Sequence, residues 1–327
     1  MIDRVLLFAA VALLALASPL VKWLVEVGGP NGYAEPNSIS FCNVLFVGNL
    51  CAAVVTGVAY GPRRTARTLR TELPRVWPAA LLNLAFAVLI PTLIFIALET
   101  TSVVNLAFLG RFESVAFAAV GVFLGVTVTR GQWVGYGVIA VGVILLAFLE
   151  SMGMPSRGDV LIVVAAVLQG IAAHATRPVT ARTGVASFVV FRNLGSAVTF
   201  FVIAVWLYGF EHFMDAFGPR FWVAMTVYAA LAVAGGQLAW YRSLARVPGP
   251  TIASFAMLAP VFGIFFAWVL LSAPPSPIQW AGGAVVGVGM VILRWSTPPA
   301  AEKTSDESSG ASNPTARAPV EGTLGGG

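Results

Sequence analysis

Ten long apolar segments follow one another along this chain, near 5–27, 36–60, 76–98, 101–126, 131–150, 158–177, 187–209, 220–243, 249–272 and 277–295. A helix needs about 20 apolar residues to cross the hydrocarbon core of a bilayer, and each segment comes close to that length. Only helices and closed barrels satisfy their backbone hydrogen bonds inside lipid. The length of each run selects helices. Composition agrees, since 58% of the 327 residues are hydrophobic and 10% charged, far from the balance of a soluble domain. The expected fold is an all-α integral membrane protein of ten transmembrane helices.

Arginine sets the orientation. With the N-terminus inside, the inner connections hold Arg4, the run Arg63, Arg64, Arg67, Arg70 and Arg75, and then Arg130, Arg177, Arg182, Arg242, Arg246 and Arg294. The outer connections hold Lys22, Arg157 and Arg220. Cations are retained on the cytoplasmic side, so both termini are expected there, in a cell inner (plasma) membrane. The net charge of +5 therefore reports topology, not nucleic-acid binding. Arg63 to Arg75 reads as an ordinary inner loop, with contact to anionic membrane lipids as the other reading. Arg4, the apolar run from Val5 and the stretch Ala15-Leu16-Ala17-Ser18 have the layout of a signal peptide. The apolar stretch runs on past Pro19 to Val27, so we expect a first transmembrane helix. Cys42 and Cys51 lie about 13 Å apart along a helix axis, too far to bridge.

The chain also repeats itself. Residues 98–146 align with 244–293 after one extra residue near position 130. Leu98 then meets Leu244, Ala107 meets Ala253, Val115 meets Val261 and Leu124 meets Leu270. Past the gap, Gln132-Trp133-Val134-Gly135 falls on Gln279-Trp280-Ala281-Gly282, Val141-Gly142 on Val288-Gly289, and Leu146 on Leu293. Composition alone aligns small apolar helices, but it does not supply the Gln-Trp-x-Gly register. Segments 4–5 thus correspond to 9–10. The expected organisation is one five-helix unit over 1–150, a second over 151–296, and a disordered cytoplasmic tail over 297–327. An odd number of spans per unit makes the two insert in opposite senses. Inverted repeats characterise secondary transporters with a substrate site near the midplane.

These residues resemble the drug/metabolite transporter superfamily, specifically its EamA-like branch. The second half carries the likeness best, in Pro250-Thr251-Ile252-Ala253-Ser254, Leu258-Ala259-Pro260-Val261-Phe262 and Ile278-Gln279-Trp280-Ala281-Gly282-Gly283. The chain departs where many relatives carry an acidic residue before the fifth and tenth helices. Here those places read Val126-Thr127-Val128-Thr129 and Ser272-Ala273-Pro274-Pro275. The first helix also lacks the Trp-Gly pair of many relatives. The resemblance implies a secondary active transporter that works by alternating access. It would export a small-molecule substrate such as an amino acid, a related metabolite or a drug, without a cofactor, in exchange for protons in one version. It also implies a cavity walled by segments 1–4 and 6–9, with segments 5 and 10 as scaffold.

Polar groups inside a membrane are costly and mark pathways. The leading candidates are Arg111 and Glu113 in segment 4. On a continuous helix they stand about 200° apart and cannot face one another, so each would need a partner elsewhere. Glu113 would exchange a proton and Arg111 would bind a substrate carboxylate or phosphate; a purely structural ion pair is the alternative. Asn83, Asn105 and Gln237 read as hydrogen-bonders between helices or as cavity groups. His174 reads as a packed histidine or a proton relay. Trp240 and Tyr241 suit an interfacial belt or a cavity wall. Arg192, beside Asn193, is expected to snorkel to the interface, and Lys22 with Glu26 suits an ion pair at the rim. Gly131 with Gly135, and Gly283 with Gly287, have the spacing that lets helices approach closely, within one chain or in a homodimer; a hinge is the other reading.

No phosphate-binding loop, His-Glu-x-x-His or Gly-x-Ser-x-Gly occurs, which argues against an ATP-driven pump and against an enzyme. No metal-ligand spacing occurs either. A membrane-embedded transferase would need a polar cluster near one interface. A scaffold or sensor would need longer loops. The same carrier run as an importer is the alternative reading.

Overall fold

The computed structural model describes residues 2–27, 41–150, 154–209, 219–246 and 255–296. Among them every regular element is a helix. The tail, the Pro250 to Ser254 motif, and the side chains of Glu26, Cys42 and Tyr241 lie outside the described residues. In the first half the helices are α1 (Ile2–Val27), α2 (Phe41–Tyr60), α3 (Pro62–Glu72), α4 (Trp77–Leu98), α5 (Val103–Leu109), α6 (Phe112–Phe123) and α7 (Arg130–Glu150). The second half has α8 (Arg157–Thr183), α9 (Val185–Tyr208), α10 (Pro219–Tyr228), α11 (Gly236–Arg246), α12 (Ala259–Leu271) and α13 (Pro277–Ser296). A π-helical stretch, Ala229–Gly235, joins α10 to α11.

Eight of these helical runs, with α5 and α6 taken together, are long and apolar enough to cross a membrane. The eighth and ninth predicted segments appear as the shorter apolar stretches Met225–Trp240 and Ala259–Leu271. The chain is thus a multi-pass membrane protein. The arginine run expected as a loop folds instead into α3, where Pro62 pre-sets the first turn and Arg, Ala and Leu favour helix.

The helix pairing has a regularity. α1 packs on α11 and α12, and α8 packs on α4 and α6. α2 pairs with α9, and α7 with α13. Exchanging each segment with its counterpart five places along turns the first two pairings into the second two and leaves the others unchanged.

The α7–α13 contact shows this residue by residue. A Cβ on Gly135 would lie 2.8 Å from the backbone nitrogen of Leu293, and one on Gly282 would lie 2.7 Å from the Leu146 side chain. A Cβ on Gly142 would lie 2.9 Å from the nitrogen of Val286, and one on Gly289 would lie 2.8 Å from that of Ile139. Early residues of each helix meet late residues of the other, so the pair is antiparallel. Each contact recurs with the roles of the helices swapped. Gly131 joins the seam against Ser296. Gly283 packs on the Phe108 ring of α5 instead, and Gly287 meets no described atom within 4 Å. The seam on α13 is therefore Gly282 and Gly289, seven apart, because nearly antiparallel helices keep a stripe of period near 3.5 in contact. The expected Gly283–Gly287 pair points elsewhere.

The Gln-Trp-x-Gly motif acquires a cause. Gln132 Oε1 accepts from the Thr129 N–H at 2.9 Å, while the Gln132 N–H donates to Thr129 Oγ1 at 3.3 Å. Gln279 and Ser276 repeat this at 2.9 and 3.1 Å. Both are capping boxes, which satisfy N–H groups that a helix start leaves unpaired. The glycine three residues later opens the seam.

Gly142→Leu and Gly289→Leu should each force backbones apart and destabilise the fold by about 1–3 kcal/mol. The measurement is the midpoint of thermal unfolding in detergent. Gly287→Ala should leave that midpoint unchanged or raise it, since helix propensity then gains about 1 kcal/mol.

Candidate functional site

Segment 4 is not one helix. α5 starts at Ser102, whose hydroxyl accepts from the Asn105 N–H, and stops at Gly110. There a Cβ would lie 2.7 Å from the Leu106 carbonyl oxygen, a contact only glycine escapes. Arg111, Glu113 and Ser114 then donate their N–H groups three residues back, to Phe108, Gly110 and Arg111, and this tighter winding resets the helix phase before α6. As a result Arg111 Nη1 comes within 3.8 Å of Glu113 Oε1. The expectation that the two cannot meet holds for an unbroken helix and fails here. The aligned segment breaks at Met257–Leu258, just before α12.

Arg111 and Glu113 border a cavity of about 510 Å³ walled by α1, α4, α5, α6, α8, α11 and α12. Its remaining wall is mostly aliphatic, with Ser18, Gln169 and Trp240 as the other polar or amphipathic members. The Arg111 Nε is buried with no hydrogen-bond partner, so the cavity holds a charged donor that its own carboxylate does not satisfy. Pro19 lies inside α1 and lacks the N–H that would reach the Ala15 carbonyl. Both residues line the cavity, which adds a backbone acceptor to it.

A second cavity of about 230 Å³ lies alongside and shares Leu14, Ser18 and Ile94 with the first. Its wall includes Asn49, Arg192, Asn193, Ser196 and Gln237. Arg192 lies about 10 Å along α9 from its start and borders this cavity, so the expectation that it snorkels away is corrected. Pro91 and Ala87 on this wall repeat the proline and carbonyl arrangement of α1.

Three sequence candidates sit between helices and border neither cavity. Asn83 donates to the Ala79 and Ala175 carbonyls, both at 2.8 Å, and accepts from Thr176 Oγ1 at 2.7 Å, tying α4 to α8. His174 Nε2 pairs with the Phe117 carbonyl at 3.0 Å, and its ring stacks on Phe117 with centroids 4.3 Å apart. Asn105 belongs to a buried polar cluster described below. Trp240 borders the first cavity and Gln237 the second. Lys22 donates to the Leu98 carbonyl at 3.2 Å, so the rim lysine caps α4. Cys51 is a free, buried thiol.

The sequence reading missed Asp159. Its carboxylate is 1% exposed and accepts from Thr101 Oγ1 at 2.6 Å, Asn105 Nδ2 at 3.0 Å and Ser156 Oγ at 2.7 Å. Gln279 Nε2 donates to Asn105 Oδ1 at 2.8 Å, so the starts of α5, α8 and α13 converge on one network. Val103, Leu106 and Ile162, each within a turn of it, border the first cavity, which places the cluster at one end of that cavity. The signal available was Ser156-x-x-Asp159, a capping box at the head of an apolar run. Asp159→Ala should strand several buried donors and cost about 3 kcal/mol. A lowered unfolding midpoint in detergent, with Asp159→Asn in between, is the check.

Comparison with known proteins matches this architecture. A profile of the EamA-like transporter family covers residues 156–295. An uncharacterized transporter of Synechocystis sp. is 31% identical over 296 residues, which span 86% of this chain and 84% of that protein. A Streptantibioticus cattleyicolor protein named "Probable terminal-alkyne amino-acid exporter" is 26% identical over 246 residues, spanning 74% of this chain and 80% of its own length. One crystal structure shares the fold at a TM-score of 0.59 and 16% identity, covering 89% of this chain and 95% of that one. The broken apolar helices, the twin capping boxes and the cavity between the halves thus belong to a transporter and not an enzyme: the chain is a member of the EamA-like family of the drug/metabolite transporter superfamily.

Proposed function

We propose that this protein exports small zwitterionic solutes, amino acids and related metabolites or drugs among them, by alternating access of two inverted units, 1–150 and 151–296. The observation that carries the reading is the Arg111 guanidinium, whose buried Nε lacks a partner while its Nη1 stands 3.8 Å from Glu113 beside a cavity of small-molecule size. A solute carboxylate would pair with Arg111, and the solute ammonium with Glu113 and the Ala15 carbonyl. Charge-assisted pairs of this kind are the strong ones in a water-poor site.

Such an arrangement also suggests coupling. A proton and a solute ammonium compete for the Glu113 carboxylate, so one leaves as the other arrives. Each can bias the equilibrium between open states only by its differential affinity for them. The exchange-symmetric pairing of helices and the antiparallel α7–α13 contact support two units rocking about a central site. The relative named as an amino-acid exporter supports the solute class. The distribution of arginines supports both termini on the cytoplasmic side of the cell membrane.

The test is flux of radiolabelled amino acids from proteoliposomes with and without a pH gradient. Wild-type flux should rise with a proton gradient opposed to solute movement. Glu113→Gln should flatten that dependence, and Arg111→Ala should lower flux about tenfold or more, as expected for losing a hydrogen-bonded charge partner. Gradient-driven flux undiminished in Glu113→Gln would remove Glu113 from coupling.

A further inference from the structure

The second cavity contains donors that no described residue satisfies. Asn193 is 3% exposed and Ser196 is 1% exposed, yet Asn193 Nδ2 and Ser196 Oγ have no hydrogen-bond partner. They stand on successive positions of one face of α9, three residues apart, and both border the cavity. Arg192 borders it too and makes no ion pair among the described residues. Leaving such groups unpaired in a buried site is costly, and more so for a charge. That cost is offset when a ligand brings acceptors. The amide side chains of Asn49 and Gln237 on the same wall can donate or accept, and its one charge is the Arg192 cation.

Charge points the same way. Among the charged residues that border the two adjoining cavities, Arg111 and Glu113 cancel and Arg192 remains. A zwitterion held at Arg111 and Glu113 leaves Arg192 uncompensated. A solute with one ammonium and two carboxylates neutralises the whole compartment. The two cavities share Leu14, Ser18 and Ile94 as wall residues, and the carbons between the two ends of such a molecule would lie against this largely aliphatic strip.

We infer that Arg192, Asn193 and Ser196 form a second subsite that holds the far carboxylate of an amino-acid-like solute, selecting acidic cargo over apolar cargo. This rests on the zwitterion reading of Arg111 and Glu113 and specifies its substrate. The subsite lies on α9 of the second half while Arg111 and Glu113 lie in the first, so the solute bridges the two halves of the protein. Such a bridge is what makes a bound molecule sensitive to their relative position.

The experiment uses the full chain in proteoliposomes with labelled glutamate and labelled leucine in parallel. Arg192→Gln, Asn193→Ala and Ser196→Ala should each lower the ratio of glutamate to leucine flux, about tenfold for the arginine. In the wild type, where folding is not in question, unlabelled glutamate should compete for transport more strongly than glutamine, which keeps the shape and loses the charge. An unchanged flux ratio in all three folded variants, or glutamine competing as well as glutamate, overturns the subsite while leaving the zwitterion site intact. A wild type that moves neither glutamate nor leucine overturns the zwitterion reading, and the subsite with it.

Discussion

A polar group inside hydrocarbon must find its partner within the protein, and that requirement orders most of what this structure does. The interhelical bonds of Asn83, the four-residue cluster around Asp159 and the Lys22 cap on α4 all satisfy groups that lipid would leave bare. Where the requirement is met, the helices are fixed to one another. Among the described residues it is left unmet at Thr56, Arg111, Asn193 and Ser196, and the last three border two adjoining spaces in the interior. Fixed places and receptive places thus differ mainly in whether their polar groups are paired. The receptive ones are where we propose that cargo sits.

Lateral packing in the membrane gains nothing from the hydrophobic effect, since lipid tails are as apolar as leucine. Close backbone approach takes over. At the α7–α13 seam glycines face backbone nitrogens of the opposite helix at Cβ distances below 3 Å, and Gly170 of α8 does the same against α6 at the Glu113 carbonyl oxygen and the Phe117 nitrogen. The second contact bears on the cavity, because it seats α8 against the first turn of the helix that carries Glu113.

Much of this was legible beforehand. The all-helical membrane class follows from apolar run lengths, and the two matching capping boxes follow from the recurrence of Gln132 and Gln279. The meeting of Arg111 and Glu113 was not, because angular reasoning presumes a continuous helix and Gly110 interrupts it. Asp159 escaped notice for a different reason. It sits three residues into α8 beside Arg157, where a carboxylate looks like an exposed end and is in fact sealed beneath Thr101 and Asn105. Gly283 and Gly287 looked like a packing pair by spacing, but the crossing of α7 and α13 selects a seven-residue interval. In each case a local rule was right about its element and blind to the neighbour that decided the outcome.

The duplicated frame carries an unequal load. Arg111 aligns with Met257 and Glu113 with Ala259, so the charged groups of one copy have apolar counterparts in the other, even though the helices themselves pair interchangeably. A carrier with matching charges in both copies would meet its cargo identically from either membrane face. In the alternating access proposed here, the two faces would present different chemistry to an arriving molecule, and the two access states would differ in free energy. Unequal affinity at the two faces would then be a property of sequence divergence between the copies, with the net direction set by the gradients that drive transport.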